Sequence, residues 1–98
     1  MDADDYDDFE WDELKCERSA TLRGFDFEFA SRVFDAPFFE REDQRRNYGE
    51  QRFVATGEVD GSIITIVWTP RARARRIISA WPASRQERRM YRDYREKE

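Results

Sequence analysis

Asp60 and Gly61 separate the two most strand-like segments of the chain. Both central positions of a two-residue hairpin turn require positive φ, and Asp-Gly is one of the dipeptides that adopt this conformation most readily. Residues 51–59 alternate apolar and polar side chains, and residues 62–68 form the most β-branched run of the sequence. We therefore expect an antiparallel hairpin whose second strand lies at the centre of a sheet.

Capping signals and changes of hydrophobic period predict the other elements. Asp12, Asp26 and Ser84 are candidate helix N-caps, the last of them in a capping box with Glu87, and Gly24 suits a left-handed helix end. The predicted helices run from Asp12 to about Leu22, over Phe27–Phe34 and from Arg85 to about Arg95. Further strands are predicted at Phe9–Trp11, Phe38–Arg41 and Arg76–Trp81, with loops at 42–49 and, because of Pro70, at 69–75.

This order of elements predicts an α+β fold. It consists of an antiparallel twisted sheet with two N-terminal helices and a C-terminal helix, the helices packed on one side. A chain of 98 residues has room for one domain, which we place at residues 8–98. Residues 1–7 are strongly acidic and carry little to bury, so we expect a disordered leader.

The net charge of −4 conceals a strong asymmetry along the chain. Residues 1–17 contain nine acids and one base, whereas residues 61–98 contain ten bases and four acids. Of the 18 basic residues, 16 are arginine, whose planar fork suits phosphate groups. The basic third therefore predicts a polyanion-binding surface. A solvated surface that happens to use arginine is the alternative, and the acidic start is expected either to screen the basic third or to stay a plain leader.

Composition also excludes several classes of protein. The chain has no histidine and one cysteine, Cys16, so zinc sites and histidine-dependent triads are excluded, and we expect neither metal nor cofactor. No apolar run approaches the ~20 residues that span a bilayer. A lone cysteine fits a reducing compartment, so we expect a cytoplasmic protein without a membrane partner.

Ordered short motifs from Phe9 to Tyr91 resemble the BrnT family, the toxins of a type II toxin–antitoxin system. The motifs include Phe9-Glu10-Trp11-Asp12, Tyr48-Gly49-Glu50, Val67-Trp68-Thr69, Arg76-Ile77-Ile78-Ser79-Ala80 and Ala83-Ser84-Arg85. The resemblance implies a RelE-like ribonuclease fold and RNA cleavage that arrests growth. It also implies neutralisation by a BrnA antitoxin, through which alone the complex would bind operator DNA.

Two departures from the family pattern bear on activity. Many members have Lys-His-Gly where this chain has Leu22-Arg23-Gly24, and Arg-Arg where it has Trp81-Pro82. A second hypothesis therefore stays open beside the ribonuclease toxin. It is a catalytically weakened BrnT-like protein that binds the antitoxin and modulates operon repression.

Metal-independent RNA cleavage needs a base for the 2′-hydroxyl, a cation for the phosphorane charge and an acid for the leaving 5′-oxygen. Arginine supplies the cation, and without histidine the base or acid must be a carboxylate or a tyrosine. The predicted catalytic residues are Tyr48, Glu50, Arg52 and Arg76. The predicted RNA-binding residues are Arg45, Arg46, Arg85, Arg88 and Arg89.

Each of these groups also has a structural interpretation. The charged run Glu40–Arg46 is typical of a solvated surface. Arg76 would then pair with a neighbouring carboxylate. The arginines of the last helix would form i, i+3 or i, i+4 pairs with Glu87, Asp93 and Glu96.

Overall fold

The computed structural model describes residues 6–97, which form five strands and three α-helices. The strands are β1 (Asp8–Trp11), β2 (Phe38–Glu42), β3 (Phe53–Val59), β4 (Ser62–Arg71) and β5 (Ala74–Pro82). The helices are α1 (Glu13–Arg23), α2 (Phe27–Ser31), continued by a 3₁₀ turn at Arg32–Asp35, and α3 (Arg85–Glu96). The predicted α+β class is confirmed. Among the described residues, no helix is long and apolar enough to cross a membrane.

The predicted helix caps are confirmed. The Asp12 side chain accepts a hydrogen bond from the amide of Lys15, and Gly24 ends α1 with φ +82°. Ser84 and Glu87 form the reciprocal capping box of α3. The predicted helix over Phe27–Phe34 was too long in its α-helical part, because the chain tightens into the 3₁₀ turn after Ser31.

That 3₁₀ turn packs tightly on β3. A Cβ atom at Gly57 would lie 2.8 Å from Cγ1 of Val33, so only glycine allows the turn to approach the strand this closely.

The strand order is β1-β5-β4-β3-β2, and the sheet is mixed. The prediction of an antiparallel sheet was wrong for β1, which pairs in parallel with β5. Hairpin connections fix the antiparallel direction of the meander β2 to β5. No hairpin joins β1 to its partner, because the chain first passes through two helices and three strands, so either direction was available.

The Asp60-Gly61 hairpin is confirmed, with φ of +49° and +86° at its two central residues. The predicted loop over 69–75 was wrong. Strand β4 continues to Arg71 and β5 begins at Ala74, which leaves a two-residue turn. Pro70 is tolerated because β3 begins opposite Trp68, so only β5 pairs with β4 at Pro70.

The two faces of the sheet carry different helices. On the face that we call the core face, Ile64, Ile66 and Trp68 of β4 pack with Phe27 and Val33. On the opposite face, the α3 side chains Glu87 and Met90 line a small cavity with Phe39, Val54 and Thr56. The expectation of helices on one side was therefore wrong. Thr65 and Val67 of β4 are also buried, so the second face needed a cover as well.

Arg75 is buried on the core face among aromatic rings. Its guanidinium lies 4.1 Å from the ring centroid of Phe34 and 4.9 Å from that of Trp68, and its Nε has no hydrogen-bond partner. Burial lowers the pKa of Arg75, opposed by the charge of Glu40. Cation–π contacts thus stabilise a charge that no hydrogen-bonded carboxylate among residues 6–97 neutralises.

Most of the predicted acidic leader, residues 1–5, lies outside the described residues. Tyr6 packs edge-on against Trp68, with ring centroids 5.1 Å apart. The Asp7 carboxylate pairs with Arg73 at 2.9 Å, and this hydrogen bond lowers the pKa of Asp7. The chain before β1 thus meets the basic third at this pair.

Candidate functional site

Five polar side chains form one row on the face opposite the core face. Three lie on β1, β5 and β4, one immediately precedes β3 and one immediately follows β2. In the strand register, Glu10 lies opposite Arg76, and Arg76 lies opposite Thr69. The β3–β4 register, continued by one residue, places Arg52 opposite Thr69. The amide of Asp43 donates to the carbonyl oxygen of Arg52 at 2.8 Å. We call Glu10, Arg76, Thr69, Arg52 and Asp43 the polar row.

Strand alternation explains why these side chains share a face. Their sequence neighbours Phe9, Phe53, Trp68 and Ile77 belong to or pack against the hydrophobic core. Because successive side chains of a strand point to opposite faces, the residue beside each of them points away from the core. The members of the polar row on or beside β1, β3, β4 and β5 are thus the sequence neighbours of core residues and point to the opposite face of the sheet.

Glu50 lies beside the polar row and contacts two guanidinium groups. Its Oε2 accepts from Nε of Arg52 at 3.0 Å, and its Oε1 accepts from Nη2 of Arg71 at 3.3 Å. Arg71 follows Thr69 by two residues in β4 and therefore shares its face. The Thr69 hydroxyl donates to the carbonyl oxygen of Gln51 at 2.7 Å, which ties the loop to β4.

The aromatic ring of Tyr48 lies against Arg52, whose guanidinium carbon is 4.1 Å from the ring centroid. The Tyr48 hydroxyl donates to Oδ2 of Asp43 at 3.1 Å. Arg45 donates to both carboxylate oxygens of Asp43, each at 2.9 Å. Arg52 is therefore positioned from two sides, by Glu50 and by Tyr48.

Asp43 anchors this loop as a buried anion, with a side chain that is 1% exposed. The hydrogen bonds from Arg45 hold the pKa of Asp43 well below its usual range, against the opposing effect of burial. Asp43 in turn raises the pKa of Arg45. The carboxylate stays ionised and keeps Arg45 and Tyr48 in place.

Arg76 pairs with Glu10, from Nη1 to Oε1 at 3.2 Å. The structural interpretation of Arg76 predicted an ion pair with a neighbouring carboxylate, and Glu10 provides that carboxylate. Both side chains remain partly exposed, and Arg76 lies in the row with Arg52. Two strand spacings separate their backbones, about 10 Å.

Helix α3 lies on the same face, farther along the sheet. It covers a row in which Trp81 pairs with Thr65, Thr65 with Thr56, and Thr56 with Phe39. That row lies four residues from the polar row along β4, about 13 Å. Helix α3 therefore flanks the polar row on the same face of the sheet.

The α3 arginines predicted to bind RNA are exposed, and among residues 6–97 none of Arg85, Arg88 and Arg89 forms an ion pair. The structural interpretation predicted ion pairs between the arginines and the acids of α3, and for these three arginines that prediction is wrong. Glu87 is engaged elsewhere, because it accepts from the amide of Ser84 and from Nε1 of Trp81.

The structure thus brings together the four predicted catalytic residues, with Arg45 linked to them through Asp43. Arg46 is exposed in the same loop and has no ion pair among the described residues. The α3 arginines lie apart. Sequence reasoning missed Glu10, Thr69 and Arg71 as neighbours of the predicted catalytic residues. The loop predicted at 69–75 concealed that Arg71 continues the face of Thr69, and Glu10 enters the site through the pairing of β1 with β5.

A family model described as the ribonuclease toxin BrnT of a type II toxin–antitoxin system matches residues 11–87. The chain belongs to the BrnT family. The match includes four members of the polar row, Arg76, Thr69, Arg52 and Asp43, and confirms the resemblance noted in the sequence. No curated protein matches the chain. BrnT proteins are ribonuclease toxins of type II systems, which implies an antitoxin partner.

The site presents guanidinium groups and the carboxylates of Glu50 and Glu10 on an open surface. Arg52, Arg71 and Arg76 are able to bind phosphate oxygens, and Glu50 is the carboxylate nearest to two of them. Among residues 6–97, no three His, Cys, Asp or Glu side chains lie close enough to hold a metal ion. Such an arrangement suits electrostatic stabilisation of a phosphorane together with proton transfer to a carboxylate.

Proposed function

We propose that the protein is a cytoplasmic endoribonuclease toxin that cleaves RNA without a metal ion and is neutralised by a BrnA-like antitoxin. The RelE-like fold implied by the family resemblance is part of this proposal. The polar row carries it, because Arg52 and Arg76 flank Thr69 on one open face and the Glu50 carboxylate contacts Arg52.

Arg52 and Arg76 bind the phosphate to be cleaved. As the phosphate gains charge in the transition state, these preplaced cations stabilise it more strongly than they stabilise the substrate. Glu50 accepts the proton of the 2′-hydroxyl, and the 2′-oxygen attacks phosphorus while the bond from phosphorus to the 5′-oxygen breaks. The leaving 5′-oxygen takes its proton from solvent water on this open face, which gives a 2′,3′-cyclic phosphate and a 5′-hydroxyl, and Glu50 returns its proton to solvent. Tyr48 positions Arg52 through its ring, since its hydroxyl is bonded to Asp43.

The remaining arginines hold the RNA on either side of the cleaved bond. Arg45 and Arg46 lie on the loop at one side of the polar row, and Arg85, Arg88 and Arg89 lie on α3. Exposed arginines contribute affinity by displacing counterions from phosphates. Among residues 6–97, Arg46, Arg85, Arg88 and Arg89 form no ion pair, whereas Arg45 is paired with Asp43 but remains 67% exposed. They act on binding more than on the chemical step.

The experiment is RNA cleavage by the purified chain in EDTA, comparing the wild type with Glu50→Gln. The substitution keeps the shape and removes the proton acceptor, so we expect cleavage to fall by about 100-fold. Glu28→Gln, on α2 at the other face, is the matched control and keeps wild-type activity. Intact RNA at high wild-type concentration, or full activity of Glu50→Gln, would overturn the proposal.

A second candidate is the catalytically weakened protein that binds the antitoxin and tunes its occupancy of operator DNA. The observation that favours it is that Arg52 and Arg71 are already bonded to Glu50, and Arg76 to Glu10. It predicts that expression of this protein without the antitoxin is harmless. It also predicts that adding this protein changes the affinity of the antitoxin for operator DNA. Growth arrest on induction would reject it.

A further inference from the structure

The exposed surface of α1 is divided into two chemically different flanks. Leu14, Arg18 and Leu22 follow one another at intervals of four and share one stripe of the helix. Glu13 and Glu17 lie on the other flank. Leu14 is 65% exposed and Leu22 80%, and these are the exposed large hydrophobic side chains of the described part of the chain.

A groove of about 250 Å³ runs beside the leucine stripe. Its apolar lining comes from Leu22, Phe27, Ile78 and Ala80, and its charged lining from Lys15, Arg18 and Arg23. A larger groove, of about 580 Å³, shares Arg23 and continues past the end of α1 over Phe25, Phe29 and Pro82.

The charges of this surface are one-sided. Among residues 6–97, Lys15, Arg18 and Arg23 form no ion pair. Asp26 is the acid that lines the larger groove, and its carboxylate caps α2 by accepting from the amide of Phe29. A ligand for this surface therefore needs both apolar groups and negative charge.

We propose that the α1 surface, formed by the stripe Leu14, Arg18, Leu22 and the two grooves, binds an acidic amphipathic segment of the antitoxin. Aliphatic or aromatic side chains of that segment enter the grooves, and its carboxylates meet the three cations. RNA is less suited to this surface, because phosphates gain nothing from exposed leucines. The inference rests on the proposed function, since the antitoxin is the partner that a type II toxin requires.

The position of the surface gives the proposal a clear test. Helix α1 packs on the core face, and the polar row lies on the other face. Substitutions on the α1 surface should therefore change antitoxin affinity and leave RNA cleavage unchanged. Leu22 and Arg18 are exposed, so replacing them leaves the fold intact, which a thermal melt verifies.

The experiment is isothermal titration of the full-length chain with the purified product of the reading frame next to its gene. Leu22→Asp and Arg18→Glu should each weaken binding by at least about tenfold. Glu17→Gln, on the acidic flank, is the matched control and binds as the wild type does. RNA cleavage is measured on the same samples.

Unchanged antitoxin affinity of both variants would overturn the inference. So would loss of RNA binding by Arg18→Glu with antitoxin binding intact, which would assign the surface to RNA. A wild type that cleaves RNA and does not bind the antitoxin overturns this inference but not the ribonuclease. A wild type that binds through α1 without cleaving RNA supports the inference and rejects the ribonuclease.

Discussion

The polar row and helix α3 use arginine on the same face of the sheet in opposite ways. Arg52 and Arg76 each contact a carboxylate and remain partly shielded from solvent. Arg85, Arg88 and Arg89 are exposed and without ion pairs among residues 6–97. The difference separates guanidiniums held in a fixed orientation from guanidiniums that supply a diffuse positive potential.

The exposed ion pairs of Arg52 with Glu50 and of Arg76 with Glu10 are better explained by orientation than by stability. An exposed ion pair contributes only about 0–1 kcal/mol, because water screens it and ordering the side chains costs entropy. Glu50 and Tyr48 nevertheless restrict Arg52 from two sides. Restricting a cation before the substrate arrives is what electrostatic catalysis requires.

The largest effect on RNA cleavage is expected from removing a guanidinium that a carboxylate holds in a fixed orientation. Arg52→Ala should lower the cleavage rate constant by about 10²–10³, since a preplaced donor to the transition state contributes ~2.7–4 kcal/mol. Arg46→Ala, in the same loop but without an ion pair, is the matched control and should lose less than about threefold. Steady-state kinetics on a short RNA measures both. Equal losses in the two variants would show that charge alone matters in this loop.

The next effect is on folding, at the buried anchor of the same loop. Asp43→Asn removes the charge that accepts from Arg45 and Tyr48, and it should lower the free energy of unfolding by about 2 kcal/mol. Urea denaturation at neutral pH measures this, with the exposed Asp35→Asn as control. Wild-type stability of Asp43→Asn would mean that the Asp43 network does not hold the loop.

The same network gives stability a pH dependence. The pKa of Asp43 is lowered in the folded protein. Its stabilising contribution is therefore complete above the unfolded-state pKa of about 4 and is lost as the pH falls below it. The difference in unfolding free energy between the wild type and Asp43→Asn should shrink between pH 5 and about pH 2.

The smallest effect is expected on α3, and it concerns affinity. Replacing Arg85, Arg88 and Arg89 together by Gln should weaken RNA binding by about tenfold and leave the rate at saturating protein unchanged. The log–log salt slope should fall by about 0.7 for each lost phosphate contact, about 2 in all. Lys15→Gln, on the other face, is the control. An unchanged slope would remove α3 from the RNA-binding surface.

Helix caps and turn dipeptides predicted most of the helices and strands correctly, because each such signal depends on only a few neighbouring residues. Asp12 and Gly24 bound α1, and Asp60 with Gly61 made the hairpin, as the sequence indicated. Two long-range features were not predictable in this way. The parallel pairing of β1 and the position of α3 on the second face depend on contacts between segments far apart in the chain.

The site was predictable as a set of residue types but not as a row. Tyr48, Glu50 and Arg52 are close in sequence, and arginine beside carboxylate pointed to phosphate chemistry. Their alignment with Arg76 depends on the register of three strands, and Pro70 had suggested a loop where β4 continues. Only the observed register brings Glu10 and Thr69 into the same row.

Single-turnover cleavage of RNA by Arg76→Ala, in EDTA and at saturating protein, tests the assignment of chemistry to the polar row most directly. We predict a rate constant at least about 100-fold below that of the wild type, with RNA affinity changed by less than about threefold. Cleavage at the wild-type rate, with the loss confined to affinity, would contradict the account and leave Arg76 as one more phosphate contact.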